Sequence, residues 1–173
     1  MESRSTKRWG RRISLLLAGL AVWACSGAGT PSDGGGDGFS PIAFDSAGEA
    51  MRAIGAATCE SAFRCAESYS GSLPFEVVFG STVEQCTNEI VISEQQAAAL
   101  DEDVEQGRTL FDDERASACH AWIATAECRA FWSSEKEERC SALLTGTLES
   151  GQDCSRDSQC ASGECDLLDS FCR

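Results

Sequence analysis

The chain has 173 residues, of which 11 are cysteine and only 8% aromatic, and its formal net charge is −14. So much cysteine in a small chain substitutes for missing hydrophobic core and belongs to an oxidising compartment, which argues against a cytosolic protein. The acidity excludes nucleic acid as a partner, because phosphate binding needs clustered Lys and Arg.

Residues 1–24 read as a signal peptide. Arg4, Lys7, Arg8, Arg11 and Arg12 form a basic n-region, and residues 13–24 supply a short apolar run that ends in small residues. About a dozen apolar residues fall short of the roughly 20 that a membrane-spanning helix needs. Val22-Trp23-Ala24-Cys25 resembles a lipobox, with Ala24 directly before the cysteine, so the resemblance implies cleavage before Cys25 and a lipid on its thiol. Setting Cys25 aside leaves ten cysteines, an even number that can all pair. Arg11-Arg12 also raises twin-arginine export, which Ser14 disfavours by standing where an apolar residue is expected. The expected location is a bacterial cell envelope, anchored in the outer membrane and facing the periplasm or the surface. Without the lipid the protein would be secreted.

The leader holds five of the 14 Lys and Arg and one of the 28 Asp and Glu, so the mature chain keeps 9 basic and 27 acidic residues, a net charge of −18. These carboxylates are spread along the chain, as a solvated secreted surface requires. Residues 25–42 comprise the cysteine to be lipidated and a tether, with six glycines between positions 26 and 40 and nothing to bury. Within it, Asp33-Gly-Gly-Gly-Asp37-Gly is a single copy of a calcium-type pattern that works only when stacked.

Residues 43–148 read as a helical bundle. A helix is predicted over 43–67, where Ala50, Met51, Ile54, Ala57, Ala62 and Phe63 follow the 3 and 4 spacing of one face. Cys59 and Cys65 on it point roughly 120° apart at about 100° per residue, so each must reach a different partner. Residues 68–80 read as a loop with room for a short extended piece. A second helix starts at Ser81 with Glu84 completing a capping box, and Cys86 lies inside it. Ser93 with Gln96 signals a third helix, or a bent continuation, running to a stop at Gly107. Asp112 caps a fourth, with Phe111 as a staple and Ala116, Cys119, Trp122, Ile123 and Ala126 as its buried stripe. A short helical segment over 135–144 is expected to bring Cys140 near Cys128.

Residues 149–173 differ in kind. Four cysteines arrive as Cys154-x5-Cys160-x4-Cys165-x6-Cys172 in a segment with too little apolar area to hold itself. The expected pairs in this knuckle are Cys154 with Cys165 and Cys160 with Cys172. Zinc is the competing use of four cysteines, but two tight C-x2-C arms are missing and export favours disulfides. The fold class is therefore mainly α: a small disulfide-stapled antiparallel helical bundle followed by an irregular cysteine-rich knuckle.

The segment from Gly151 to Cys165, with Cys154-x2-Asp157-x2-Cys160-x2-Gly163-x-Cys165, resembles the short Dickkopf N-terminal cysteine-rich module. Upstream, Phe79-Gly-Ser-x4-Cys86, then Phe111-Asp112-x6-Cys119, Cys128 and Cys140 leading into that module, resemble cysteine-rich lipoproteins abundant in myxobacteria. The resemblance covers roughly residues 55–173. It implies a helical, multiply disulfide-bonded extracytoplasmic protein and brings no catalytic residues; receptor binding by Dickkopf proteins does not transfer on a short knuckle. In the bundle, one of fifteen possible pairings is expected: Cys65 with Cys86, Cys128 with Cys140, and Cys59 with Cys119.

No catalytic residues, metal ligands or cofactor are assigned, and the chain is not expected to be an enzyme. His120 beside Cys119 is the one nucleophile-like pair, but neighbouring helical positions diverge by about 100°; Cys119 reads as a disulfide half and His120 as a surface residue. Neither G-x-S-x-G nor H-E-x-x-H occurs. Asp101, Asp103, Glu105, Gly107 and Asp112 approximate a calcium loop with its glycine misplaced, and read better as a solvated helix end. The expected function is a non-catalytic, lipid-anchored envelope protein, a binding or structural module whose protein partner is unidentified; a secreted disulfide-rich inhibitor or toxin-like effector is the alternative. Phe75, Val78, Phe79, Phe131 and Trp132 are contact candidates if exposed, with core packing as the competing reading.

Overall fold

A short entry that buries Phe44 and a capping serine start the first helix. In the computed structural model, which describes residues 42–166 and 168–173, the Ser46 hydroxyl accepts a hydrogen bond from Glu49 N at 3.2 Å and opens α1 (Ala47–Arg64). The helix is shorter than the predicted span of 43–67 at both ends. Its apolar positions bury as the spacing demands, with Ala50, Ile54, Ala57 and Ala62 in the core. The leader and all of the tether except Ile42 lie outside the described residues.

The remaining helices wrap this one. After a 3₁₀ turn (Ala66–Ser68) come α2 (Phe75–Phe79), α3 (Val83–Ile90), α4 (Glu94–Glu105), α5 (Asp113–Thr125), α6 (Cys128–Phe131) and α7 (Glu135–Arg139). The first helix packs against α5, α4 and α3. At the end of α5, Ser61 and Arg64 of α1 donate to its last carbonyls: Ser61 Oγ to Ile123 O at 2.8 Å and Arg64 Nη2 to Ala126 O at 3.2 Å. Those carbonyls have no partner within their own helix, so α1 both packs on α5 and terminates it.

Several local expectations hold and others shift. Ser93 and Gln96 form the reciprocal capping box of α4, and Gly107, at φ 70°, ends it. Asp112 caps α5 by accepting from Arg115 N at 2.9 Å. The cap of α3 is Thr82 with Gln85, one residue beyond the predicted Ser81 and Glu84; the Ser81 amide donates instead to Gln85 Oε1. Residues 75–79 form a helical turn where a loop is predicted, because Phe75 and Phe79, one turn apart, both find packing on the core.

Sequence periodicity gives no sign of strands, yet two small antiparallel pairs close the fold. β1 (Thr109–Phe111) pairs with β2 (Leu144–Gly146), with Thr109 opposite Gly146. β3 (Cys165–Asp166) pairs with β4 (Phe171–Cys172), with the two cysteines directly opposite. Three-residue strands carry too few alternations to register as a period. Together these elements make a mainly α, disulfide-stapled fold.

β2 is also where the knuckle seats. Leu148 bridges Cys160, its N–H donating to Gln159 O at 2.9 Å while its carbonyl accepts from Ala161 N at 2.8 Å. A Cβ on Gly146 would overlap the backbone of Cys160, so only glycine admits this approach. Gly146→Ala is expected to lower stability by about 1–3 kcal/mol, read as a lower urea midpoint with unchanged slope. An unchanged midpoint would show that the knuckle does not press on β2.

Candidate interaction surface

The cysteine scaffold sets which faces remain for function. Ten cysteines form five disulfides: Cys59–Cys86, Cys65–Cys128, Cys119–Cys140, Cys154–Cys165 and Cys160–Cys172. Both knuckle pairs are the expected ones. All three bundle pairs differ from the expected Cys65–Cys86, Cys128–Cys140 and Cys59–Cys119. The reason is rotational. Cys59 and Cys65 do diverge around α1, but it is Cys59 that meets α3, with its Cα 5.7 Å from that of Cys86. Cys65, at the end of α1, meets Cys128 at the start of α6, where the Trp132 indole N–H also donates to Cys65 O at 2.9 Å. Cys140 then reaches back to Cys119 on α5 instead of closing a local turn with Cys128. Each bridge is worth about 2–4 kcal/mol by restricting the unfolded chain.

The acidic stretch that approximates a calcium loop is dismantled by the fold. Asp101 Oδ1 accepts from Gly48 N at 2.7 Å. Asp103, expected at a solvated helix end, is fully buried and gathers the joint between bundle and knuckle. Arg108 Nε and Nη2 donate to its Oδ1 at 2.8 and 2.6 Å, Gln159 Nε2 donates to the same oxygen at 2.6 Å, and Arg156 Nε donates to Oδ2 at 2.8 Å. Arg156 and Gln159 belong to the knuckle, so one carboxylate fastens it to α4. A lone aspartate at helical spacing looks solvated; the signal for its burial lies in two arginines, one of them 53 residues away.

Burial alone would raise the Asp103 carboxyl, but hydrogen bonds from Gln159, Arg108 and Arg156 outweigh it and hold the group below its ordinary value of 3.8. A carboxylate whose folded value is depressed contributes stability that is full above the ordinary value and is lost as pH falls through the folded one.

His120 is half-buried, not a surface residue, and lies edge-on to Phe44 with ring centroids 5.7 Å apart. Burial lowers its pKa against the opposing charge of Glu60. Its neighbour Cys119 is fully buried in a disulfide, so the two do not form a thiol–imidazole pair.

The apolar contact candidates divide. Phe131 is buried, and Phe75, Phe79 and Trp132 pack against the core. They belong to a chain of edge-on rings in which Tyr69 meets Trp132 at 5.0 Å and Phe75 meets Phe63 at 5.1 Å. Val78 is half-buried. Just before and on α2, Leu73 and Val77 stay outside, 56% and 65% exposed. The 3 and 4 spacing of Phe75, Val78 and Phe79 was the available signal: it turns those three inward and leaves Val77 on the other side. Disulfide-held α3 follows directly, with Val83 also exposed. The result is a set of exposed apolar side chains, Leu73, Val77 and Val83, beside packed aromatic rings.

This chain matches no protein-family model, no curated protein and no solved structure. Among the described residues, no helix is long and apolar enough to cross a membrane.

Asp103→Ala is expected to cost about 3 kcal/mol, the lower end for breaking a buried pair, because both arginines stay partly exposed. Urea midpoints of the unaltered protein should hold level above the ordinary carboxylate range and drop at more acid pH, and Asp103→Asn should flatten the drop. Equal acid sensitivity in both would refute the assignment.

Proposed function

We propose that this chain is a non-catalytic, exported module of a bacterial cell envelope, held to the membrane by a lipid on Cys25 and binding a protein partner through its disulfide-stapled body. The observation that carries the reading is the pairing of all ten cysteines from Cys59 to Cys172 among themselves. None of them requires Cys25, whose place after a basic and then apolar leader fits lipid attachment. Five disulfides fit an oxidising compartment. The enclosure of Cys119 in a disulfide and the packing of His120 on Phe44 support a body that binds without catalysing. Leu73 and Val77, exposed above rings that are fixed from beneath, are the contact residues of this reading.

Two measurements test it. Palmitate should label the protein in a bacterial host and the label should vanish in Cys25→Ala, which should move from the membrane to the soluble fraction. Label that survives Cys25→Ala would exclude the anchor. Val77→Asp should leave stability within about 0.5 kcal/mol, as exposed substitutions do, yet abolish retention of envelope proteins that the unaltered ectodomain captures. Equal capture by both would move the contact face elsewhere.

A further inference from the structure

We propose that the knuckle, once its two disulfides are reduced, is a four-thiolate zinc site formed by Cys154, Cys160, Cys165 and Cys172. Three of these sulfurs, from Cys154, Cys160 and Cys172, already lie within 4.8 Å of one another although they belong to two different disulfides. The fourth, Cys165, is bonded to Cys154 and stands directly across the hairpin from Cys172. Tetrahedral zinc with Zn–S bonds of about 2.3 Å places its sulfurs roughly 3.8 Å apart. Three of the thiols of the reduced knuckle therefore start close to that spacing, and Cys165 swings in from its place beside Cys154 to complete the tetrahedron.

Contacts that involve no sulfur keep the thiols gathered after reduction. Arg156 and Gln159 hold the segment between Cys154 and Cys160 to Asp103. Thr109 Oγ1 donates to Ser158 O at 2.9 Å, and the Asp157 carboxylate accepts from Cys165 N at 2.7 Å. All four cysteines are buried, and among the described residues they form the apolar core of the knuckle with Leu148. A metal at their centre would fill the space the S–S bonds now occupy. Four soft thiolates with no oxygen donor among them select zinc over calcium or magnesium.

The chemistry balances with a dithiol reductant. Two equivalents deliver four electrons and four protons, break the two S–S bonds and become two disulfides themselves, leaving four thiols. Zinc then binds them as thiolates and four protons pass to solvent. The knuckle is cross-linked in either state, by sulfur–sulfur bonds when oxidised and through the metal when reduced.

Anaerobic reduction of the purified protein followed by cobalt titration tests this. One equivalent should produce thiolate-to-cobalt charge transfer with the intense visible bands of tetrahedral cobalt, and zinc should displace it. Cys154→Ser/Cys165→Ser should weaken zinc binding by more than the roughly 10–100-fold that altering an outer partner costs. An alkylation map of the unaltered reduced protein gives an answer that does not depend on how that variant folds. Zinc should shield Cys154, Cys160, Cys165 and Cys172 from reagent and leave the bundle thiols reactive. Absence of tetrahedral cobalt bands, equal labelling of the knuckle with and without zinc, or undiminished affinity in the double variant would each overturn the proposal.

Discussion

Ten half-cystines stand where a larger protein would place leucine and phenylalanine, and the rest of the structure follows from that substitution. The bundle core holds as many alanines as larger side chains, the larger ones being Phe44, Ile54, Ile123, Phe131 and Leu143. Alanine buries little area, and at about 25 cal/mol per Å² such a core stabilises weakly against the entropy of the chain. Covalent links act on the other side of the balance by restricting the unfolded state. They also fasten the architecture that packing selects. Two of the five bridges tie α1 to its neighbours, Cys59 to α3 and the capping Cys65 to α6, and a third joins α5 to the end of α7.

The knuckle could have been an independent bead on the end of the chain, and it is not. Among the described residues its apolar core is four cysteines and Leu148, but its backbone bridges Leu148 to Cys160 and its side chains converge on Asp103. A fully buried carboxylate is costly unless its oxygens are satisfied, and here two guanidiniums and an amide satisfy them. That arrangement favours one seating of the knuckle, since any other would leave the charge unmatched. On the bundle, the rings beside Leu73 and Val77 are braced by Trp132, whose indole N–H donates to Cys65 O at the end of α1.

Local signals in the sequence locate most of the helices and both knuckle disulfides. The capping box at Ser93 and Gln96, the cap at Asp112 and the stop at Gly107 each act within one turn, and the chain obeys them. The bundle pairing was not legible, because which of Cys59 and Cys65 faces α3 depends on how α1 is rotated against its neighbours, a property of packing and not of spacing. Asp103 escaped for a related reason: its partners Arg156 and Gln159 are more than 50 residues away, and nothing near it marks it as buried. The strands β1 and β2 were hidden by their brevity, and the inward turn of Phe75 and Phe79 by the Gly and Pro residues before them, which read as loop.

The fold depends on complete oxidation of ten cysteines in one connectivity. Its most direct test is a non-reducing peptide map of the mature protein, alkylated before digestion. The account predicts no alkyl label between Cys59 and Cys172, with linked peptides joining Cys59 to Cys86, Cys65 to Cys128 and Cys119 to Cys140. Labelled thiols in that span, or a peptide joining Cys65 to Cys86, would contradict it.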